Sequence, residues 1–303
     1  MSVLSIIAAL LLEQWRPLAD RKAYVGLSAR YAAWFEERFN AGETRHGTIA
    51  WIVAVAPVAL GALVLYFVLH RVHPLLALAF NVAALYLTLG FRQFSHFFTG
   101  IQKSLAAGEI ERARDLIGAW RGESAGHRTR EEVVRLSIEE ALLASHRHVF
   151  AVLLWFIVLP GPTGALLYRC SVFLARRWEG LGAFGAFARR ALYWLEWPAV
   201  RLTAAAFAVV GDFEDAIYCW RTQAAAWREP LAGIVLAAGA GAIGVRLGMP
   251  ITVADGGAEA RPELGLGENA DTPFLDSTVG LLWRALVLWV FVLLVLSGVW
   301  ALR

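Results

Sequence analysis

The sequence predicts an all-α, polytopic integral membrane protein, and three observations predict it. Hydrophobic residues make up 58% of the 303-residue chain and charged residues 17%, whereas a soluble domain carries roughly 45–50% and about 25%. The mean hydropathy is +0.55. Two apolar runs, Thr48 to His70 and Leu281 to Leu302, each reach the roughly 20 residues that a spanning helix needs. This composition excludes a secreted disulfide scaffold, a disordered chain and an ordinary cytosolic enzyme. The net charge of +3 is small, so the arginines read as a topology signal rather than as a nucleic-acid footprint. Cys170 and Cys219 match neither a disulfide framework nor a zinc spacing.

The first segment, 1–47, opens with Met1 to Leu12, too short to span and lacking the basic start of a signal peptide. It reads as a retained, partly embedded helix. Leu27, Tyr31, Trp34, Phe35 and Phe39 then recur at helical spacing, with Arg30, Glu36, Glu37 and Arg38 between them. That pattern predicts an amphipathic helix, lying at the interface or packing on its own membrane domain. Segment 48–91 is a transmembrane hairpin: Thr48 to His70, a turn at Arg71-Val72-His73, and Pro74 to Gly90. Proline suits the start of the second helix because its missing N–H would be unpaired there.

Segment 92–148 is charge-rich with helical periodicity and reads as a cytoplasmic helical subdomain. Nine basic residues lie from Arg92 to Arg147 and six precede Thr48, but the hairpin tip has only Arg71. The positive-inside rule puts both long polar segments in the cytoplasm. In segment 149–250, Pro160-Gly161-Pro162 breaks an apolar stretch whose two flanks are both basic. This predicts a re-entrant pair of half-helices, since broken backbone at membrane depth must be buried in protein or line a cavity. Two further short pieces, Pro198 to Val210 and the Gly/Ala-rich Leu231 to Val245, complete a helical core. Segment 251–277 is an acidic, Gly/Pro-rich loop, either a tether or a binding lid. Segment 278–303 is the last transmembrane helix, with Arg284 in its first turn able to snorkel. The sum is about four membrane-embedded elements plus cytoplasmic helices.

Few residues advertise chemistry. His146 and His148 are two apart, a spacing that does not put two imidazoles on one helical face, so no metal site is expected. Cys170 beside Arg169 reads as a packed thiol rather than a stabilised thiolate. Glu139-Glu140 read as a solvated helix face, with an acid/base pair as the alternative. Gly239, Gly241 and Gly244 follow no predicted strand, so they read as helix-packing glycines rather than a phosphate loop.

Two linked stretches are more specific. Ala240-Gly-Ala-Ile-Gly-Val-Arg246-Leu-Gly248-Met-Pro250 is followed by Arg261-Pro-Glu-Leu-Gly265. Together with Gly108-Glu-Ile-Glu-Arg-Ala-Arg114, Phe184-Gly185, Pro198-Ala-Val-Arg201-Leu-Thr203 and Gly211-Asp-Phe-Glu-Asp-Ala-Ile217, they resemble the CobD/CbiB family. Its members are membrane-bound adenosylcobinamide-phosphate synthases of cobalamin assembly. The start, with Leu12-Glu13-Gln14-Trp15-Arg16, looks instead like AmpE, a diverged inner-membrane relative linked to β-lactamase regulation.

The resemblance implies a polar cytoplasmic site where ATP and Mg²⁺ drive amide formation between a corrinoid carboxylate and an aminopropanol phosphate. The family's acidic and amide positions fall here on Glu140, Ala144, Ser145, His148, Val172, Ala175, Ala191, Leu192, Leu231 and Leu236. Of the acids only Glu140 survives. Arg201, Arg246 and Arg261 remain, as do structural glycines and prolines, while the family's initial Gly-Asp-Pro and His-Pro signatures are absent from the amino-terminal segment. The expectation is an AmpE-like sensor or partner-binding protein of the bacterial inner membrane, with no cofactor and no nucleic acid. Its partners would be membrane lipid and a small anion or a protein, Arg201, Arg246 and Arg261 being the anion-binding candidates. The alternative is an active synthase using ATP and Mg²⁺. For the three arginines two readings stay open: pairing with nearby acids, or convergence on an anion.

Overall fold

In a computed structural model the chain is described at residues 2–15, 22–123, 125–253 and 257–301. Arg16 and Arg21, counted above for topology, lie outside these residues. The chain divides into two compact units, Met1–Gly90 with Ala151–Pro198, and Phe91–Phe150 with Ala199–Arg303. Among the described residues three helical runs are long and apolar enough to cross a membrane: Thr44–Val72, Arg130–Val158 and Pro273–Val299.

The first unit contains α1 (Ser2–Trp15), α2 (Lys22–Phe39), α3 (Thr44–Val72), α4 (Pro74–Thr88), α8 (Ala151–Val158), α9 (Thr163–Arg177) and the start of α10 (Ala186–Val210). Pro74 is the first helical residue of α4, and His73 Nδ1 accepts from the Leu75 N–H at 3.2 Å, capping a helix start that proline alone leaves open. The amphipathic helix α2 packs on its own unit. Its Ala32 and Phe35 join Ala50, Ala54 and Val55 of α3 and Leu174 and Ala175 of α9 in one buried cluster around Trp178 and Phe184. The Tyr31 hydroxyl donates to the Ala54 carbonyl at 2.8 Å, across the same contact. Gly47 allows α3 to approach: a Cβ there would stand 1.9 Å from the Phe184 oxygen. The Pro160–Pro162 break turns α8 back onto α9, and Gly164 sits where a Cβ would meet the Trp155 carbonyl at 1.8 Å. The outward residues of α3, among them Leu60, Val64 and Phe67, are apolar and exposed, as lipid requires.

The second unit contains α5 (Phe91–Ala106), α6 (Ile110–Arg121), α7 (Arg130–Ser145), the rest of α10, α11 (Phe213–Gln223), α12 (Pro230–Ile243) and α13 (Pro273–Ala301). A five-residue π-turn, His146–Phe150, continues α7. Sequence reading separated the charged segment ending near His148 from the apolar run at Val149. The structure instead joins α7, the π-turn and α8 into one 29-residue helical run. Helix α12 is buried along nearly its whole length. Its glycines are spacers: a Cβ at Gly239 would meet Leu142 at 2.7 Å, and one at Gly241 the Asp215 carbonyl at 2.5 Å.

The loop of 251–277 is shorter and more ordered than its composition suggests. Among the described residues five short strands form between Val245 and Asn269: β1 (Val245–Gly248), β2 (Ile251–Thr252), β3 (Ala258–Glu259), β4 (Glu263–Leu264) and β5 (Glu268–Asn269). Strand β1 is central, antiparallel to β4 through Leu247–Leu264 and parallel to β5 through Arg246–Asn269, and β2 pairs antiparallel with β3. The all-α class therefore holds for the helical body and needs this addition. Helix α13 starts at Pro273, so Asp276 belongs to its first turn and accepts from Gln102 Nε2 at 2.6 Å.

Candidate functional site

Helix α7 begins with a capping box. Thr129 Oγ1 accepts from the Glu132 N–H at 3.2 Å, and Glu132 Oε2 accepts from the Thr129 N–H at 2.6 Å. That box places Glu132, and the positions three and seven residues later put Arg135 and Glu139 on the same helical face. All three are buried. This face grips the strand region. Glu132 Oε1 accepts from the N–H and the hydroxyl of Thr252, at 2.6 and 2.9 Å. Arg135 donates to the Pro250 carbonyl at 2.9 Å and lies 3.7 Å from Glu131. Glu139 Oε1 accepts from the Gly248 N–H at 2.9 Å, and its Oε2 takes a short bond from Arg261. The Arg261 guanidinium also stacks over the Trp227 ring, 4.8 Å from its centre.

The clasped turn is strained. Gly248 and Met249 are consecutive left-handed residues, and Met249 at φ 60° is the one non-glycine with positive φ among the described residues. A Cβ at Gly248 would stand 1.9 Å from the Pro262 oxygen, so glycine is required there.

Glu139 is thus no solvated surface acid. Its side chain is 3% exposed, and both its oxygens are engaged by donors from over a hundred residues away. The retained Glu140 points elsewhere, with its Oε2 3.7 Å from Arg121 Nη1. Burial would lower the Arg121 pKa, but its hydrogen bond to Glu123 and the charges of Glu123, Glu140 and Glu139 outweigh that and hold it above its ordinary value.

The three arginines singled out from the sequence sit on different elements. Arg261 is held by Glu139. Arg246 on β1 donates to Asn269 Oδ1 at 2.6 Å and lies 3.5 Å from Glu263, in a more exposed setting. Arg201 is half-buried on α10, two residues before Thr203. The Thr203 hydroxyl donates to the Ala199 carbonyl at 2.9 Å, so it accepts from His146 Nδ1, also 2.9 Å away.

Sequence reasoning missed Glu132 and Arg135, although Thr129-Arg-Glu-Glu132 is a legible helix-start signature. It also missed a cavity of about 400 Å³ lined by Asp212, Asp215, Gly244, Ser277, Gly280 and Arg284. Asp212 caps α11 by accepting from the Asp215 N–H at 3.0 Å. Gly211 brings the two helices together, since a Cβ there would meet the Ala242 oxygen at 2.5 Å. Two acidic residues and one arginine thus line a single opening. Burial first, and then the Asp215 carboxylate, push the thiol of Cys219 on α11 up to about 11.

Comparison with known proteins agrees with the motifs. The CobD/Cbib protein family model matches residues 6–282. The cobalamin biosynthesis protein CobD of Stutzerimonas stutzeri (strain A1501) is 35% identical over 299 residues, covering 96% of each chain. The protein of the same name from Chromobacterium violaceum is 36% identical over 253 residues, covering 80% of this chain and 77% of its own. No solved structure matches significantly. The chain belongs to the CobD/CbiB family of cobalamin biosynthesis.

Proposed function

We propose that this protein is a diverged, AmpE-like member of that family: a multi-pass protein of the bacterial inner membrane that retains the fold and a ligand cavity and does not make the amide bond. One observation carries this reading. Several positions where the family pattern has acids or amides are here closed by packing. Ala175 belongs to the hydrophobic cluster of Trp178 and Phe184, and Ala144 and Leu236 are buried. Carboxylates there would need compensating partners in an apolar setting. The cavity of Asp212, Asp215 and Arg284 suits a small ligand bearing both an ammonium and an anionic group. The excess of arginines in segments 22–45 and 92–147 supports a cytoplasmic position for both, and the turn at Pro160-Gly161-Pro162 supports a re-entrant α8–α9 pair.

The same cavity favours a second reading, an active synthase. Mg²⁺ with ATP is held by one or two carboxylates plus phosphates, a requirement Asp212 and Asp215 fit, with Arg284 for a phosphate. Glu132 and Glu139 do not fit it, since their oxygens are already taken by N–H groups, a hydroxyl and Arg261. Bound there, the nucleotide would supply the activated phosphoryl group for acylation. Complementation separates the two readings. A strain lacking adenosylcobinamide-phosphate synthase and expressing this chain stays dependent on supplied cobinamide under the first reading; restored synthesis from adenosylcobyric acid overturns it.

A further inference from the structure

We infer that the turn between α9 and α10 is a headgroup site for an anionic phospholipid. The inference stands apart from the proposed function. From Arg169 to Arg190 the chain carries five arginines and one acid, Glu179. Arg176 and Arg177 end α9, Arg189 and Arg190 lie in the first turns of α10, and all four are exposed. The turn holding them is rigid. Trp178 is fully buried, with its ring 4.9 Å from that of Phe184, and Gly185 sits where a Cβ would meet the Trp178 oxygen at 2.0 Å. Arg189 donates to the Glu179 and Gly182 carbonyls, both at 3.2 Å, which ties the second arginine pair to the end of α9. Compensation is thin at Arg177 and Arg190. Glu36 lies 3.8 Å from Arg177, a long pair at the surface, and Arg190 has no ion pair among the described residues. A preorganised, positively charged turn recognises an anion.

The next turns of α10 indicate which anion. Tyr193, Trp194 and Trp197 follow Arg190 at three, four and seven residues, so the four share one helical face. The aromatics are 46%, 63% and 42% exposed. Tyrosine and tryptophan with an apolar body and a polar edge concentrate at the level of lipid headgroups, and basic side chains beside them bind acidic lipids. Inorganic phosphate would satisfy the arginines and leave this aromatic stripe in water. An amphiphile satisfies both. The same unit carries the apolar outer face of α3, so the lipid is already the neighbouring solvent.

The test is the melting temperature of the full chain purified in a neutral detergent. Phosphatidylglycerol, phosphatidylcholine or inorganic phosphate is added in separate arms. Phosphatidylglycerol is expected to raise the melting temperature by a few degrees, through binding to the folded state, and the other two additions to leave it unchanged. Arg177→Gln/Arg190→Gln should remove most of the shift while melting normally without lipid. Should that double variant melt lower on its own, Arg190→Gln alone, at an exposed side chain, is read the same way. Equal shifts from both lipids, a shift reproduced by inorganic phosphate, or an undiminished shift in the variants overturns the inference.

Discussion

Arg261 donates to the Glu139 carboxylate while its guanidinium covers the Trp227 ring, so one side chain joins α7, the strand region and the approach to α12. The pair is nearly dry, with side-chain exposures of 10% and 3%. A buried pair adds little over a well-packed apolar one, but removing one partner strands the other.

Arg261→Gln is accordingly expected to destabilise the protein by about 3–5 kcal/mol, because it leaves a buried carboxylate uncompensated. Arg246→Gln breaks a pair whose partners are 37% and 50% exposed, which is worth about 0–1 kcal/mol after solvent screening. Thermal melts of the two variants should differ clearly. Equal losses would contradict the assignment of Arg261 as the buried anchor.

Gly241→Ala places a methyl 2.5 Å from the Asp215 carbonyl and 2.8 Å from the Ala216 Cα, both backbone that cannot yield cheaply. It should cost about 1–3 kcal/mol by overpacking. Gly61→Ala in α3, where nothing lies within 4 Å, is the control and should be neutral or slightly stabilising. Denaturation midpoints of the pair decide it.

The raised thiol of Cys219 makes stability fall in alkali. The folded chain keeps a proton that the unfolded chain releases above the ordinary value of 9.0, and keeps it until about 11. The contribution is therefore intact below 9.0 and lost progressively between these values. Melting followed across that range should show a steeper loss for the natural protein than for Cys219→Ser. Parallel curves would rule out this contribution.

Accessibility of residue 126 reports orientation. Gly126 is exposed with open space around it, so Gly126→Cys introduces a reactive thiol without strain. In intact cells an impermeant maleimide should leave it unlabelled, and lysis should expose it. Labelling from outside would reverse the orientation drawn from the arginines. Cys219 gives little background, being buried and protonated at neutral pH.

An aminoalkyl phosphate should raise the melting temperature by a few degrees if the cavity of Asp212, Asp215 and Arg284 binds it. Arg284→Gln should abolish the shift with little change in the empty protein, since Arg284 is exposed and its Nε donates to the Gly280 carbonyl in the preceding turn at 3.2 Å. An unchanged shift in this variant would place the ligand elsewhere.

What the sequence revealed follows the range of the interactions. Pro74 beginning α4 and Phe35 on the buried side of α2 are settled by neighbours within two turns, and both were legible. The Thr129–Glu132 capping box is just as local and was overlooked. Glu139 was misread for a different reason. As one acid of a Glu-Glu pair on a charged helix it looks solvated, and what buries it lies 109 and 122 residues further along the chain. The strands escaped likewise, because segments of two to four residues carry almost no periodicity of their own. The cavity escaped because Asp212 and Arg284 are joined by folding and not by any spacing.

The long reach of α7 has a consequence for how the chain is made. Ribosomes add roughly 5–20 residues per second. Arg261 follows Glu139 by 122 residues, so at these rates it is polymerised roughly 6–25 s later. Throughout that interval Glu132, Arg135 and Glu139 have no strand region to grip, and hydrocarbon is closed to them. The amino-terminal half of this helix must therefore wait in water or at the translocation machinery while later segments are synthesised. Its burial is a late event of assembly, timed by the arrival of the strands that hold it.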